Sequence, residues 1–203
     1  ILTNGAEMQA PQIPGTLPAA DIKRLKLDAF DRSNDLKPLS VVTGDIIAKN
    51  AYEWSKATES PLAQAAVRGA EKITVRPLLG HSGKAVKLPK GASLSYDFYC
   101  DKSGDARFTI AAIPCFLNAV KDMRVSVSID RGEPVICQLK EVYNSKDWQF
   151  DLWRGQTLKS FYVTLPGGSH NVTIKALDDN VMIDQWVLDY DVDREYYVFP
   201  VAK

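Results

Sequence analysis

From about Val41 onward the chain alternates apolar and polar positions. In "SLSYDFYC", Leu94, Tyr96, Phe98 and Cys100 fall on one face, and "ARFTIAAI" repeats the pattern with Phe108, Ile110 and Ala112. "MRVSVSID" sets Val125, Val127 and Ile129 against Arg124, Ser126 and Ser128. Alternation of period two marks strands with one face packed and the other wet. "DRGEP" supplies a turn into "VICQLK". "FYVTL", "PGG" and "HNVTIKAL" repeat the arrangement, with Val172, Ile174 and Ala176 inward. The stretch from Leu165 to Tyr190 thus reads as a hairpin followed by the last core strand. Short, frequent strands separated by Gly, Pro and Asp turns predict an all-β, antiparallel, jelly-roll-like sandwich. Two sheets packed face to face bury what one half-wet sheet would leave exposed.

Other periods punctuate this pattern. Residues 1–40 read as an extension or linker ahead of a sandwich over 41–203. Pro11, Pro14 and Pro18 break its start, and "AADIKRLKLDAF" places Ile22, Leu25, Ala29 and Phe30 at helical spacing. A second helix is predicted in "SPLAQAAVRGAEK", where Ser60 can cap and Pro61 suits the first turn, while Gly69 weakens the far end. In "DWQFDLWRG", a regular strand would put residues 148, 150 and 152 on one face and Trp153 on the other, leaving one of its two tryptophans outside the core.

Composition narrows the partners. The 203 residues carry 25 Lys plus Arg against 25 Asp plus Glu, with none of the basic excess of a nucleic-acid binder. No apolar run approaches the roughly 20 residues of a membrane span. Opening at Ile1, the chain reads as a processed product or a piece of something longer. Cys100, Cys115 and Cys137 lie in apolar stretches without metal-ligand spacing and read as buried free thiols.

Candidate chemistry is sparse. "LGHSGKAV" is neither a nucleophile elbow nor a P-loop, because its glycines are wrongly spaced for both. Ser82 and His81 are sequence neighbours and form no productive dyad. The segment reads as a glycine-punctuated turn before a strand. "DYDVDRE" alternates Asp189, Asp191 and Asp193 but puts Arg194 where a calcium loop wants glycine, so a solvated strand face is expected. Asp184, inside the apolar run "VMIDQWVL", needs a partner to offset lost hydration: a nearby turn, or a structural cation. Trp148, Trp153, Trp54 and Tyr196 are platforms on which a pyranose could stack, with Arg124 as a polar companion, although core packing can claim any of them. No acid pair singles itself out for glycoside hydrolysis.

The ordered series "PLLGHSGKAVKLP", "LSYDFY", "AAIPCFLNAVKDMRVSVSID", "DWQFDLWRG" and "LPGGSHNVTIKALDDNVMIDQWVLDY" resembles the C-terminal domain of glycoside hydrolase family 115, whose members are xylan α-1,2-glucuronidases. The resemblance covers about Ile73 to Lys203, and more loosely the strand from Val41. It implies a galactose-binding-like β-sandwich of the carbohydrate-binding-module kind, placed after a separate catalytic barrel that holds the catalytic acids. No family catalytic residue therefore carries over. It further implies an accessory role with carbohydrate, xylan-type, or an adjacent catalytic domain as partner, and an extracytoplasmic location. A ligand-free structural or dimerisation domain is the second expectation, and an independent glycoside-active enzyme the last. Related calcium-binding sugar modules place an acid near the first strand, where "DIIAKNAYEW" has Lys49. No cofactor is therefore expected, calcium being disfavoured, and Lys49 is expected to pair with Asp184 within about 6 Å.

Overall fold

The computed structural model describes residues 45–117, 120–194, 196 and 199. The extension over residues 1–40 and the helix expected within it lie outside them. In chain order the elements are β1 (Ile46–Asn50), β2 (Lys56–Thr58), α1 (Pro61–Gln64), β3 (Thr74–Pro77), β4 (Lys84–Leu88), β5 (Ser93–Cys100) and β6 (Gly104–Ala112). There follow β7 (Arg124–Ile129), β8 (Val135–Gln138), α2 (Lys146–Arg154), β9 (Thr157–Leu165), β10 (Gly168–Ala176) and β11 (Val181–Asp189). They form an antiparallel β-sandwich. One sheet runs β3-β4-β11-β6-β9, with β1 also paired to β11, and the other runs β2-β5-β10-β7-β8.

The alternation read from the sequence is what fills the space between the sheets. Leu94, Tyr96, Phe98, Phe108, Ile110, Val125, Val127, Val172, Ile174 and Ala176 all belong to one buried cluster. Trp186 of β11 is its hub. Its ring stacks on Phe108 at 5.3 Å and takes edge contacts from Tyr96 at 5.6 Å and Phe98 at 5.5 Å. Such offset and edge-on pairs match the positive rim of one ring to the negative face of another. Cys100 and Cys137 are buried free thiols and Cys115 is a half-buried one.

Three expectations are corrected. Leu165 to Tyr190 contains no hairpin. β9 pairs with β6 in one sheet, β10 pairs with β5 and β7 in the other, and β11 returns to the first. Pro166–Gly167 therefore carries the chain across the sandwich, since alternation reports which side chains face inward and not which sheet they belong to. The segment 146–154 is helix α2, not a strand. α1 is a single turn: Ser60 Oγ accepts from Ala63 N and Pro61 opens it as expected, but it stops at Gln64, well short of Gly69.

β11 is paired on both flanks. β6 lies along one side, while β1 and β4 share the other, β1 against Gln185–Asp189 and β4 against Val181–Ile183. Its register with β6 slips between Ile183 and Gln185, so Asp184 sits at a bulge. A bulge re-aims a side chain that regular pairing would bury among apolar neighbours.

Candidate functional site: the groove beside helix α2

Asp184 is fully buried, and its partners come from the glycine turn that precedes β4 and from Gln156 just before β9. Oδ2 accepts from His81 N at 2.7 Å and Gln156 Nε2 at 2.6 Å. Oδ1 accepts from Ser82 N at 3.2 Å and Ser82 Oγ at 2.5 Å. Gly80, at φ +78°, lets the loop close on the carboxylate, because a Cβ there would land on its oxygens. Lys49 is not among the partners; it lies across from Trp186 in the β1–β11 register. The expected Lys49–Asp184 pair is thus replaced by a turn more than a hundred residues away in sequence. Four converging donors suit an anion and oppose a cation, so this donor set does not fit calcium.

The same turn holds one end of α2, since His81 Nε2 donates to the Arg154 carbonyl at 2.8 Å. Local signals explain the helix. Ser145 Oγ caps it by accepting from Trp148 N, Asp147 sits in its first turn and Arg154 in its last, and Gly155 ends it in the left-handed region at φ 70°. Helical spacing then sorts the side chains. Asp151 points inward, where Oδ2 accepts from Thr157 Oγ1 at 2.5 Å. Burial pushes its carboxyl up to about 6, with neighbouring Glu141 adding to the rise. Trp148 is half-buried between Tyr143 (5.1 Å) and Phe116 (5.6 Å). Phe150 and Trp153 face out in edge contact, and Trp153 is 76% exposed.

Outward residues of β6 and β9 meet α2 in a groove of about 350 Å³, lined by Arg107, Thr109, Phe150, Arg154, Leu158, Ser160 and Tyr196. Antiparallel pairing sets its floor: Thr109 lies opposite Ser160, with their hydroxyls 2.8 Å apart. Arg107 donates through Nη2 to the Arg194 carbonyl and stands 5.6 Å from the Tyr196 ring. Its Nε is buried without a hydrogen-bond partner. The Tyr196 hydroxyl donates to Asp189, whose Oδ1 accepts from Asp191 N at 2.9 Å. Burial, then this bond to a carboxylate, raises the phenol's pKa. Asp189 is therefore a buried anchor at the end of β11, and of the three alternating aspartates Asp191 and Asp193 are the solvated ones.

Of the residues singled out from sequence, Tyr196 lines the groove and Trp153 stands beside it through Phe150. Trp148 packs on the opposite side of the helix. Trp54 is half-buried against the main core. Arg124 is forked onto Asp178, Nε to Oδ2 at 2.7 Å and Nη2 to Oδ1 at 3.0 Å, an engagement that holds its charge firmly. The structure does not bring these last two to the groove. Arg107, Thr109, Phe150, Arg154 and Ser160 went unnoticed. The β6 and β9 alternation places the first two and Ser160 outward, but only the Ser145 and Gly155 caps could have revealed the helix that completes the groove.

Among the described residues, no helix is long and apolar enough to cross a membrane. The family model of the glycosyl hydrolase family 115 C-terminal domain matches residues 43–202. No curated protein matches. Among solved structures, a family GH115 4-O-methyl-α-glucuronidase, BtGH115A, with specificity for decorated arabinogalactans, is 27% identical at a TM-score of 0.60. That match covers 73% of this chain and 18% of the relative, so the chain spans under a fifth of that enzyme's length. An exo-β-1,3-galactanase from Phanerochaete chrysosporium is 13% identical at a TM-score of 0.50, over 71% of this chain and 29% of its own, a likeness of fold alone. A family 35 carbohydrate binding module from Clostridium thermocellum is 14% identical at a TM-score of 0.49, covering 70% of this chain and 98% of its own.

Proposed function

This chain belongs to the glycosyl hydrolase family 115 C-terminal domain family, and from that premise we propose that it is a non-catalytic accessory sandwich of a glycoside hydrolase that holds carbohydrate in the groove beside α2. The observation that carries the reading is the groove's composition. The rings of Phe150 and Tyr196 offer apolar faces, and the Thr109 and Ser160 hydroxyls and two guanidinium groups lie within the same lining. Sugars are recognised by this combination, an aromatic face for the C–H surface and fixed polar groups for the hydroxyls. We place xylan-type polymer there, with decorated arabinogalactan as the comparison, and we place the domain outside the cytoplasm, where such polymers are met.

Isothermal titration of the full chain against xylan, glucuronoxylan and arabinogalactan oligosaccharides tests the reading. Binding should be seen for at least one of them and weaken about tenfold in Phe150→Ala, the loss of roughly 1.4 kcal/mol of contact. Absence of heat across the whole panel overturns it.

A second reading rests on a separate observation. Val142, Tyr143, Leu152 and Trp153 are each at least half exposed, an unusual density of large apolar side chains beside one helix. They suit docking against the rest of a glycosidase chain. Co-purification of the separately expressed catalytic region with this domain, lost in Trp153→Ser, is the outcome expected of that role.

A further inference from the structure

We infer that His170 is a proton-operated clamp: as an imidazolium it ties the crossover between the two sheets to the turn between β7 and β8, and loss of its proton frees that turn. The inference is independent of what the groove beside α2 holds.

His170 lies near the start of β10, just after the Pro166–Gly167 crossover, and its side chain is 4% exposed. Nδ1 donates to Asp130 Oδ2 at 2.5 Å, and Nε2 donates to the Pro166 carbonyl at 2.8 Å. A carbonyl oxygen only accepts, and so does an ionised carboxylate, so both bonds need a hydrogen on the ring. Neutral imidazole carries one; the imidazolium carries two. With Nε2 spent on a carbonyl, the pair has no nitrogen left to move a substrate's proton. The Phe98 ring, 5.5 Å away, favours the same state, since an aromatic face attracts a cation.

What the clamp restrains is a strained turn. Asp130 and Arg131 both have positive φ, 51° and 60°, and the Gly132 amide donates to the Ile129 carbonyl at 2.8 Å. Such a turn suits Asn-Gly, and a bulkier pair adopts it only where neighbouring contacts compensate. The Asp130 carboxylate makes those contacts: Oδ1 accepts from Asn171 N at 2.9 Å, while Oδ2 takes the imidazolium.

Among the described residues, Asp130 is the charged group bonded to the ring. Asp97 and Tyr99 of β5 line the same hollow of about 590 Å³, but the Asp97 carboxylate already accepts from Asn171 Nδ2 at 2.7 Å. Cys100 ends β5 and Asp101 follows it; Arg131 and Glu133 of the turn are exposed, and Lys102 is paired with Asp45. Burial works against the charge on His170, but Asp130 and the Pro166 carbonyl outweigh it and hold the imidazolium above its ordinary range. Burial also opposes the Asp130 charge, yet His170 and the Asn171 amide keep that carboxyl below its own. The clamp is therefore fully closed between roughly pH 4 and 6.5, and opens as pH rises through the raised His170 value. The hollow gives water a route to the pair, since the Asp130 side chain is 46% exposed.

Nitrogen-15 NMR of the full chain reads the ring directly, with His170 assigned by the signal lost in His170→Gln or, should that variant not fold, by the signal displaced in Asp130→Asn. Both ring nitrogens should carry protons in acid and lose one with a midpoint above the roughly 6.5 of a free imidazole. Amide protection at Asp130, Gly132 and Asn171, corrected for the intrinsic rise of exchange with pH, should fall at least tenfold across that midpoint, while Trp186 in the other sheet keeps its own. Asp130→Asn should lower the midpoint and leave the turn's protection low at every pH. A midpoint at or below the free value overturns the inference, and so does a turn equally protected on both sides of it.

Discussion

A single carboxylate shows how residue-scale demands shape this molecule. Asp184 sits inside an apolar strand, so its need for partners was legible in the sequence; which partners was not. The answer lies in two backbone N–H groups, which every loop possesses and no sequence advertises, in the Ser82 hydroxyl and the Gln156 amide, and in a glycine that permits the approach. The expectation of Lys49 failed because it sought a charge where dipoles suffice. Gly80 and Gly83 separate the contributions. Both have positive φ, but a Cβ at Gly83 meets open space while one at Gly80 meets the Asp184 carboxylate. Gly83→Ala should cost about 1 kcal/mol, the strain of a left-handed alanine. Gly80→Ala should cost at least about 2 kcal/mol more, since it also strips a buried charge of donors. Urea unfolding of the pair measures the difference; equal losses would mean the loop does not depend on this closure.

At the scale of the element, α2 shows how two periods can share one string. Trp148, Phe150 and Leu152 alternate as a strand would, yet Trp148 and Asp151, or Phe150 and Trp153, stand three apart as on a helix. The caps decide, because Ser145 satisfies a free amide at one end and Gly155 terminates the other. What alternation could never show is that a polar residue, Asp151, anchors the helix to the sheet. Its folded pKa of about 6 exceeds the ordinary 3.8, so the native state holds the proton more tightly than the unfolded chain. That contribution is complete below the unfolded value and is lost as pH rises through about 6. Asp151→Asn keeps an acceptor for Thr157 and removes the charge. Denaturant titration should find it more stable than the parent by on the order of 1–2 kcal/mol at pH 8, and about equal near pH 4. A constant difference across that range would contradict this account.

For the whole molecule, the alternation from Leu94 to Ala176 specified the inward faces, and with them the two-layer architecture. It did not specify that every bulky apolar residue would be used there. Phe150, Leu152 and Trp153 remain exposed on α2, while the core gathers around Trp186, whose neighbours Tyr96, Phe98 and Phe108 come from both sheets. Trp186→Ala should therefore cost about 3–5 kcal/mol by leaving a cavity between the layers. Trp186→Phe should cost markedly less, because the indole Nε1 has no hydrogen-bond partner to lose. Thermal unfolding distinguishes the two, and similar losses would place the hub elsewhere.

The position of β11 in the chain gives this architecture a temporal dimension. The strand that joins β1 and β4 to β6 comes after every other strand of the described residues, so as the polypeptide emerges from the ribosome its first sheet exists only as unjoined fragments. Until Val181–Asp189 are translated, Phe108 and Tyr96 have no indole to close upon. The contact between the two sheets around that ring waits on one late strand, and until then those apolar faces stand open to other chains.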